Sequence, residues 1–129
     1  MAKTYALAGL HLRYRLWIAE LNHYIDIIRI SQDYCVFEEK DKLDAVVVSD
    51  GIEYFNAKFI ELRREIDDVR NRLHLLKMKI AADAKEVKEI NQKTYISDSH
   101  AAIKKQMLTF KTTFNGIINE FCRFEKRYF

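Results

Sequence analysis

The chain has 129 residues, 49% of them apolar and 32% charged, with a formal net charge of +3. That is the size and mixture of one soluble globular domain spanning residues 1–129. No apolar run is long enough to span a bilayer, and the basic excess is too small for a dedicated nucleic-acid binder. The excess sits late: from Thr94 onward there are six Lys/Arg against three Asp/Glu. Proline is absent and glycine occurs only at positions 9, 51 and 116, so the chain is biased toward long helices.

The opening MAKTYALAGLHLRYR has a short apolar part broken by His11, Arg13 and Arg15, and reads as mature sequence rather than a secretion signal. With only two cysteines, the expected setting is a reducing cytoplasm. A first helix is expected over about 7–39. Its apolar row runs Leu10, Tyr14, Trp17, Leu21, Tyr24, Ile28, Ser31 and Cys35, in alternating steps of four and three as in a coiled-coil seam.

KDKLDAVVVSDG leads into the second helix. Asp50 with Glu53 resembles a capping box and places its start at about residue 50. Ala45, Val48 and Ile52 keep the seam rhythm, which allows a start near Asp41 instead. The helix is expected to end near residue 92, with the row Phe55, Phe59, Leu62, Ile66, Val69, Leu73, Leu76, Ile80, Asp83, Val87 and Ile90. KTYISDS then turns the chain, with Ser97 or Asp98 as N-cap. A third helix follows over about 98–128, with the row Ile103, Met107, Phe110, Phe114, Ile117, Phe121, Phe124 and Tyr128.

Three seams with charged outer faces define an all-α fold, an antiparallel coiled-coil-like bundle of three long helices. The second helix is roughly ten residues, or about 15 Å, longer than its neighbours. Antiparallel packing with short turns proposes layers such as Tyr14/Leu76/Phe114, Leu21/Val69/Phe121 and Ile28/Leu62/Tyr128. In that register Phe55, Val87 and Ile103 are half covered at two-helix ends. A second copy would cover them, giving a homodimer; in a monomer, Val46 to Val48 would fold over one end.

Few residues suggest chemistry. Glu20 and His23 have the Glu-x-x-His spacing of carboxylate-bridged di-metal bundles. With Glu61 or Glu65 of the second helix they form an alternative metal-binding reading. No second such pair exists, and both residues flank the seam, so chance spacing on a solvated helix is preferred and no metal or cofactor is expected. Among the other histidines, His11 and His74 lie at flanking or outer positions. His100 lies on the seam in the first turn of the third helix, where partial solvation is expected. Cys35 reads as a small buried hydrophobe. Cys122 lies beside the third seam, about 20 Å away along the bundle and too far for a disulfide. Neither has the nearby base and anion hole of a nucleophile, so no catalytic residue is assigned. The phenylalanines of the third helix, interleaved with Lys104, Lys105, Lys111, Arg123, Lys126 and Arg127, suggest base stacking. Four of the five, Phe129 excepted, are seam positions, so core packing is the better reading and weak binding of nucleic acid or another anionic partner is a second alternative.

Several motifs carry a resemblance. Trp17-Ile18-Ala19-Glu20-Leu21, Phe55-Asn56-Ala57-Lys58-Phe59, Arg64-Glu65-Ile66-Asp67-Asp68-Val69-Arg70 and Phe114-Asn115-Gly116-Ile117-Ile118-Asn119-Glu120-Phe121-Cys122-Arg123-Phe124 are similar to those of a family of small all-helical bacterial proteins of the Bacteroidetes type, to which no activity is assigned. The similarity covers roughly Trp17 to Phe129. The family's second helix carries more Glu and His than this one, and Val46 to Val48 departs from its pattern. The resemblance implies a helical bundle in a bacterial cytoplasm and transfers no catalytic or binding residue. The function expected is therefore non-enzymatic and mediated by protein contacts, chiefly self-association.

Overall fold

The computed structural model describes residues 4–41, 46–86, 94–96 and 98–128. Three helices make up the fold: α1 (Leu7–Asp41), α2 (Val46–Glu86) and α3 (Asp98–Tyr128). A short two-stranded ribbon joins them, β1 (Thr4–Ala6) pairing antiparallel with β2 (Thr94–Ile96) so that Tyr5 faces Tyr95. The expected turn KTYISDS thus contains a strand. Its Thr-Tyr-Ile triplet, like Thr-Tyr-Ala at the chain start, is rich in β-branched and aromatic residues that favour extended backbone.

Helix α2 starts at Val46, between the two expected starts. Asp50 is not its cap but an exposed residue within the helix. Val48 and Ile52 are buried, and their burial extends the apolar row N-terminal to the capping motif. Helix α2 is described to Glu86; Val87, Ile90 and the expected end near residue 92 lie outside the described residues, as does the side chain of Asp83.

The three apolar rows form one core. Leu10, Tyr14, Leu21 and Ile28 of α1 meet Phe59, Leu62, Ile66, Val69 and Leu73 of α2, and Ile103, Met107, Phe110 and Phe114 of α3 complete it. Fully burying one such side chain contributes about 1.5–3 kcal/mol. Ser31 is buried on the α1 row without strain, because its hydroxyl donates to the Ile27 carbonyl at 2.9 Å.

The register between α1 and α2 is the one the layers proposed. Arg70 donates to Asn22 Oδ1 at 2.9 Å, and Gln32 donates to Asn56 Oδ1 at 3.3 Å. These pairs lie on either side of the Leu21/Val69 and Ile28/Leu62 layers. The register of α3 differs. Tyr14 meets His100 rather than Phe114, Tyr24 meets Phe110 and Phe114 rather than Phe124, and Phe121 packs on Phe55 and Phe59. Helix α3 is displaced by about two heptads, roughly 20 Å, from the proposed layers.

This shift removes the two-helix ends. Phe55 is only 6% exposed and Ile103 is 0% exposed, where half-covered residues were expected. It also brings Cys35 and Cys122 to one level, since Tyr34 and Phe121 next to them are in contact at 6.1 Å. Axial distance therefore does not separate the thiols; orientation does, with Cys35 buried and Cys122 exposed.

Two glycines test the packing in opposite directions. Gly51 lies in α2 beneath the Phe124 ring, whose Cζ would sit 2.6 Å from a Cβ added there. Gly116 lies in α3 with nothing within 4 Å of such a Cβ. Gly116→Ala should stabilise the fold by about 0.5–1 kcal/mol. Gly51→Ala should instead destabilise it by about 1–2 kcal/mol, because overpacking outweighs the helix-propensity gain. Urea denaturation of both variants checks the pair.

Candidate functional site

The sequence-derived candidates do not converge. Glu20 lies on the side of α1 that faces α3. Its Oε1 accepts a hydrogen bond from the Tyr24 hydroxyl at 2.6 Å and pairs with Lys111 Nζ at 3.0 Å. Both contacts fall on one oxygen of a half-buried carboxylate and tie it to α1 and α3. His23 is exposed, its ring 6.3 Å from that of Tyr24. Glu61 is exposed and pairs with Lys58 at 3.7 Å. Glu65 feels the neighbouring charge of Asp68, and Asp68 accepts from Gln106 of α3 at 3.3 Å. Glu20 thus belongs to the α1–α3 seam, while Glu65 lies beside the α2–α3 seam. Among the described residues no group of three or more His, Cys, Asp or Glu side chains has the arrangement of a metal site.

Two of these groups are electrostatically perturbed. The Tyr24 phenol is pushed up to about 12, first by burial and then by its hydrogen bond to, and repulsion from, the Glu20 carboxylate. The Glu65 carboxyl is raised, first by burial and then by Asp68. Both shifts come from burial and a neighbouring acid.

The most enclosed polar group is one that sequence reasoning placed at a solvated end. His100 is 1% exposed. Its Nδ1 is hydrogen-bonded to the Tyr14 hydroxyl at 3.0 Å, and its ring stacks on Trp17 at 5.9 Å with 9° between the planes. The hydrogen bond satisfies a donor and an acceptor that would otherwise be costly to bury. Seam membership of both His100 and Tyr14 was the available clue; the misplaced register of α3 hid the pairing.

The aromatic residues of α3 are core elements. Phe110, Phe114 and Phe121 are buried in the core, while Phe124 is half-buried and keeps part of its ring at the surface; Phe129 lies outside the described residues. At the opposite end of the bundle from His100, a cavity of about 320 Å³ opens beside Phe55, Phe124 and Tyr128. Two arginines and a glutamate border it, a grouping that sequence spacing alone did not single out.

These features define a three-helix antiparallel bundle whose histidine and carboxylates of interest are engaged in packing. No family model matches the chain, and no curated protein or solved structure matches it either.

Two titrations follow. Because its folded value lies above the ordinary 10.0, the stability Tyr24 contributes is complete below pH 10 and is lost as pH rises toward 12. Alkaline difference absorbance at the tyrosinate band should show a late-ionising phase that Tyr24→Phe removes. Glu65 likewise contributes fully below its ordinary 4.5 and loses that contribution as pH rises through its raised value. Glu65→Gln should therefore raise the melting temperature at pH 7, and the gain should vanish below pH 4, as followed by circular dichroism.

Proposed function

We propose that this chain is a non-enzymatic helical-bundle protein that acts through protein contacts, chiefly with a second copy of itself. The observation that carries the reading is a second apolar row on α1, on the face turned away from the core. Leu12, Leu16 and Ile30 are 56%, 60% and 64% exposed. With Ala19 and His23 between them, both exposed, they keep the three–four rhythm that packs one helix against another. Asp26 is the acid on this row, and it is paired within its own helix to Arg29 at 3.5 Å. Large apolar side chains repeated along one helix face cost solubility unless something covers them, and an α1–α1 contact about a twofold axis would cover both rows at once.

This row replaces the bundle ends as the ground for self-association, since Phe55 and Ile103 are already covered within one chain. The non-enzymatic part of the reading is supported by the engagement of Glu20, His100 and Tyr24 in packing contacts. A cytoplasmic setting is supported by two cysteines that form no disulfide, and no helix among the described residues is long and apolar enough to cross a membrane. Kinship with the all-helical Bacteroidetes family belongs to the same proposal and rests on the motifs quoted above.

Light scattering coupled to size exclusion tests the contact. The expected result is a two-chain mass at micromolar concentration, reduced to a one-chain mass by Leu12→Glu with Leu16→Glu, with the melting transition kept. A one-chain mass for the unaltered protein rejects self-association.

A further inference from the structure

The cavity at the end of the bundle where α2 begins and α3 finishes is built unlike the rest of the surface. Its apolar wall is aromatic. Phe55 and Phe124 lie 5.2 Å apart at 48°, and Phe124 and Tyr128 lie 5.1 Å apart at 50°. Gly51 lets the Phe124 ring lie directly against the α2 backbone, which sets the depth of that wall. The polar wall is one strip of α3: Glu120, Arg123 and Arg127, spaced three and four so that all three face the same way. The structure gives neither arginine an ion pair or a hydrogen bond among the described residues. Arg29, Lys58, Arg70 and Lys111 are engaged with carboxylates; other surface basic residues such as Arg63 and Arg64 are not, so what sets Arg123 and Arg127 apart is their place beside the aromatic wall.

Volume and charge together select an occupant. About 320 Å³ is at the small end of ligand pockets, which run from about 300 to 1,000 Å³. It suits a single ring with a short side chain and not a nucleotide. Two guanidinium groups against one carboxylate leave the rim positive, and a guanidinium fork matches a carboxylate. An anion without an apolar body would leave the exposed parts of Phe124 and Tyr128 unused; an apolar body without a charge would leave the arginines unused. Basic residues in a last helical turn commonly do no more than answer the helix dipole. That role accounts for Lys126 and Arg127 but not for Arg123 a turn earlier beside the same rings.

We propose that this cavity is a binding site for a small carboxylate with an aromatic body, its ring on Phe124 and Tyr128 above the buried Phe55 and its carboxylate on Arg123 and Arg127. Glu120 at the rim repels a second negative charge, so monoanions are preferred over dianions.

The test uses the full chain, labelled with nitrogen-15, titrated with 3-phenylpropionate, with its neutral amide, and with inorganic phosphate. The expected result is saturable amide shifts confined to residues 51–55 and 120–128 with 3-phenylpropionate, binding about ten-fold weaker for the neutral amide, and no saturation with phosphate. Arg123→Gln and Arg127→Gln together should weaken 3-phenylpropionate about ten-fold while the spectrum stays folded. No saturable shift with 3-phenylpropionate, equal binding of the amide, or unchanged affinity in the double variant would overturn the proposal. Saturation by phosphate at the same residues would overturn it too, because the rings would then have no part in recognition.

Discussion

The bundle depends on a single stripe of α2 serving two partners at once. Phe59, Leu62, Ile66, Val69 and Leu73 are all buried, and α1 and α3 both lie along this row. A stripe of that width keeps water out only if both neighbours run alongside it over the same length. The level of α3 leaves Phe55 and Ile103 covered.

Heptad-like packing, by itself, does not fix how far one helix slides along another. A row of Phe, Ile and Leu every three or four residues maps closely onto itself after a slide of seven or fourteen. What chooses among these positions is whatever breaks the repeat. Here the breaks lie at the two ends. His100 meets the Tyr14 hydroxyl and the Trp17 ring only at this level of α3. Phe124 must find Gly51, where a Cβ would collide with it. Between these ends, Lys111 with Glu20, and Gln106 with Arg72 and Asp68, hold the two seams of α3. Among the polar residues that look like candidate chemistry, Glu20 therefore marks the register, as His100 does, whereas His23 and Glu61 are exposed and mark none. The arginines at the far end hold no such place, although seam residues Phe55, Phe124 and Tyr128 wall their cavity.

The two connections explain why one register was readable and the other was not. Helices α1 and α2 are separated only by residues 42–45, and so few residues span so little distance that α2 has little freedom to slide along α1; counting outward from that connection gives the layers found. Helices α2 and α3 are separated by residues 87–97, which include β2. The ribbon ties that connection to the start of α1. Short strands three residues long leave almost no trace in composition, and the partner β1 lies some ninety positions away.

Apolar periodicity alone determined that the chain is all-α, that it has three long helices with these core faces, and that Phe110, Phe114 and Phe121 belong inside. Those properties follow from burial along one helix at a time, which the spacing of side chains encodes directly. Tertiary structure decided the level of α3, and with it the burial of His100, the coverage of Phe55 and Ile103, the alignment of Cys35 with Cys122, and the cavity beside Arg123 and Arg127. Each depends on which residues two distant segments bring side by side, and a repeating row is nearly indifferent to that choice until steric and hydrogen-bond contacts at its irregular positions settle it.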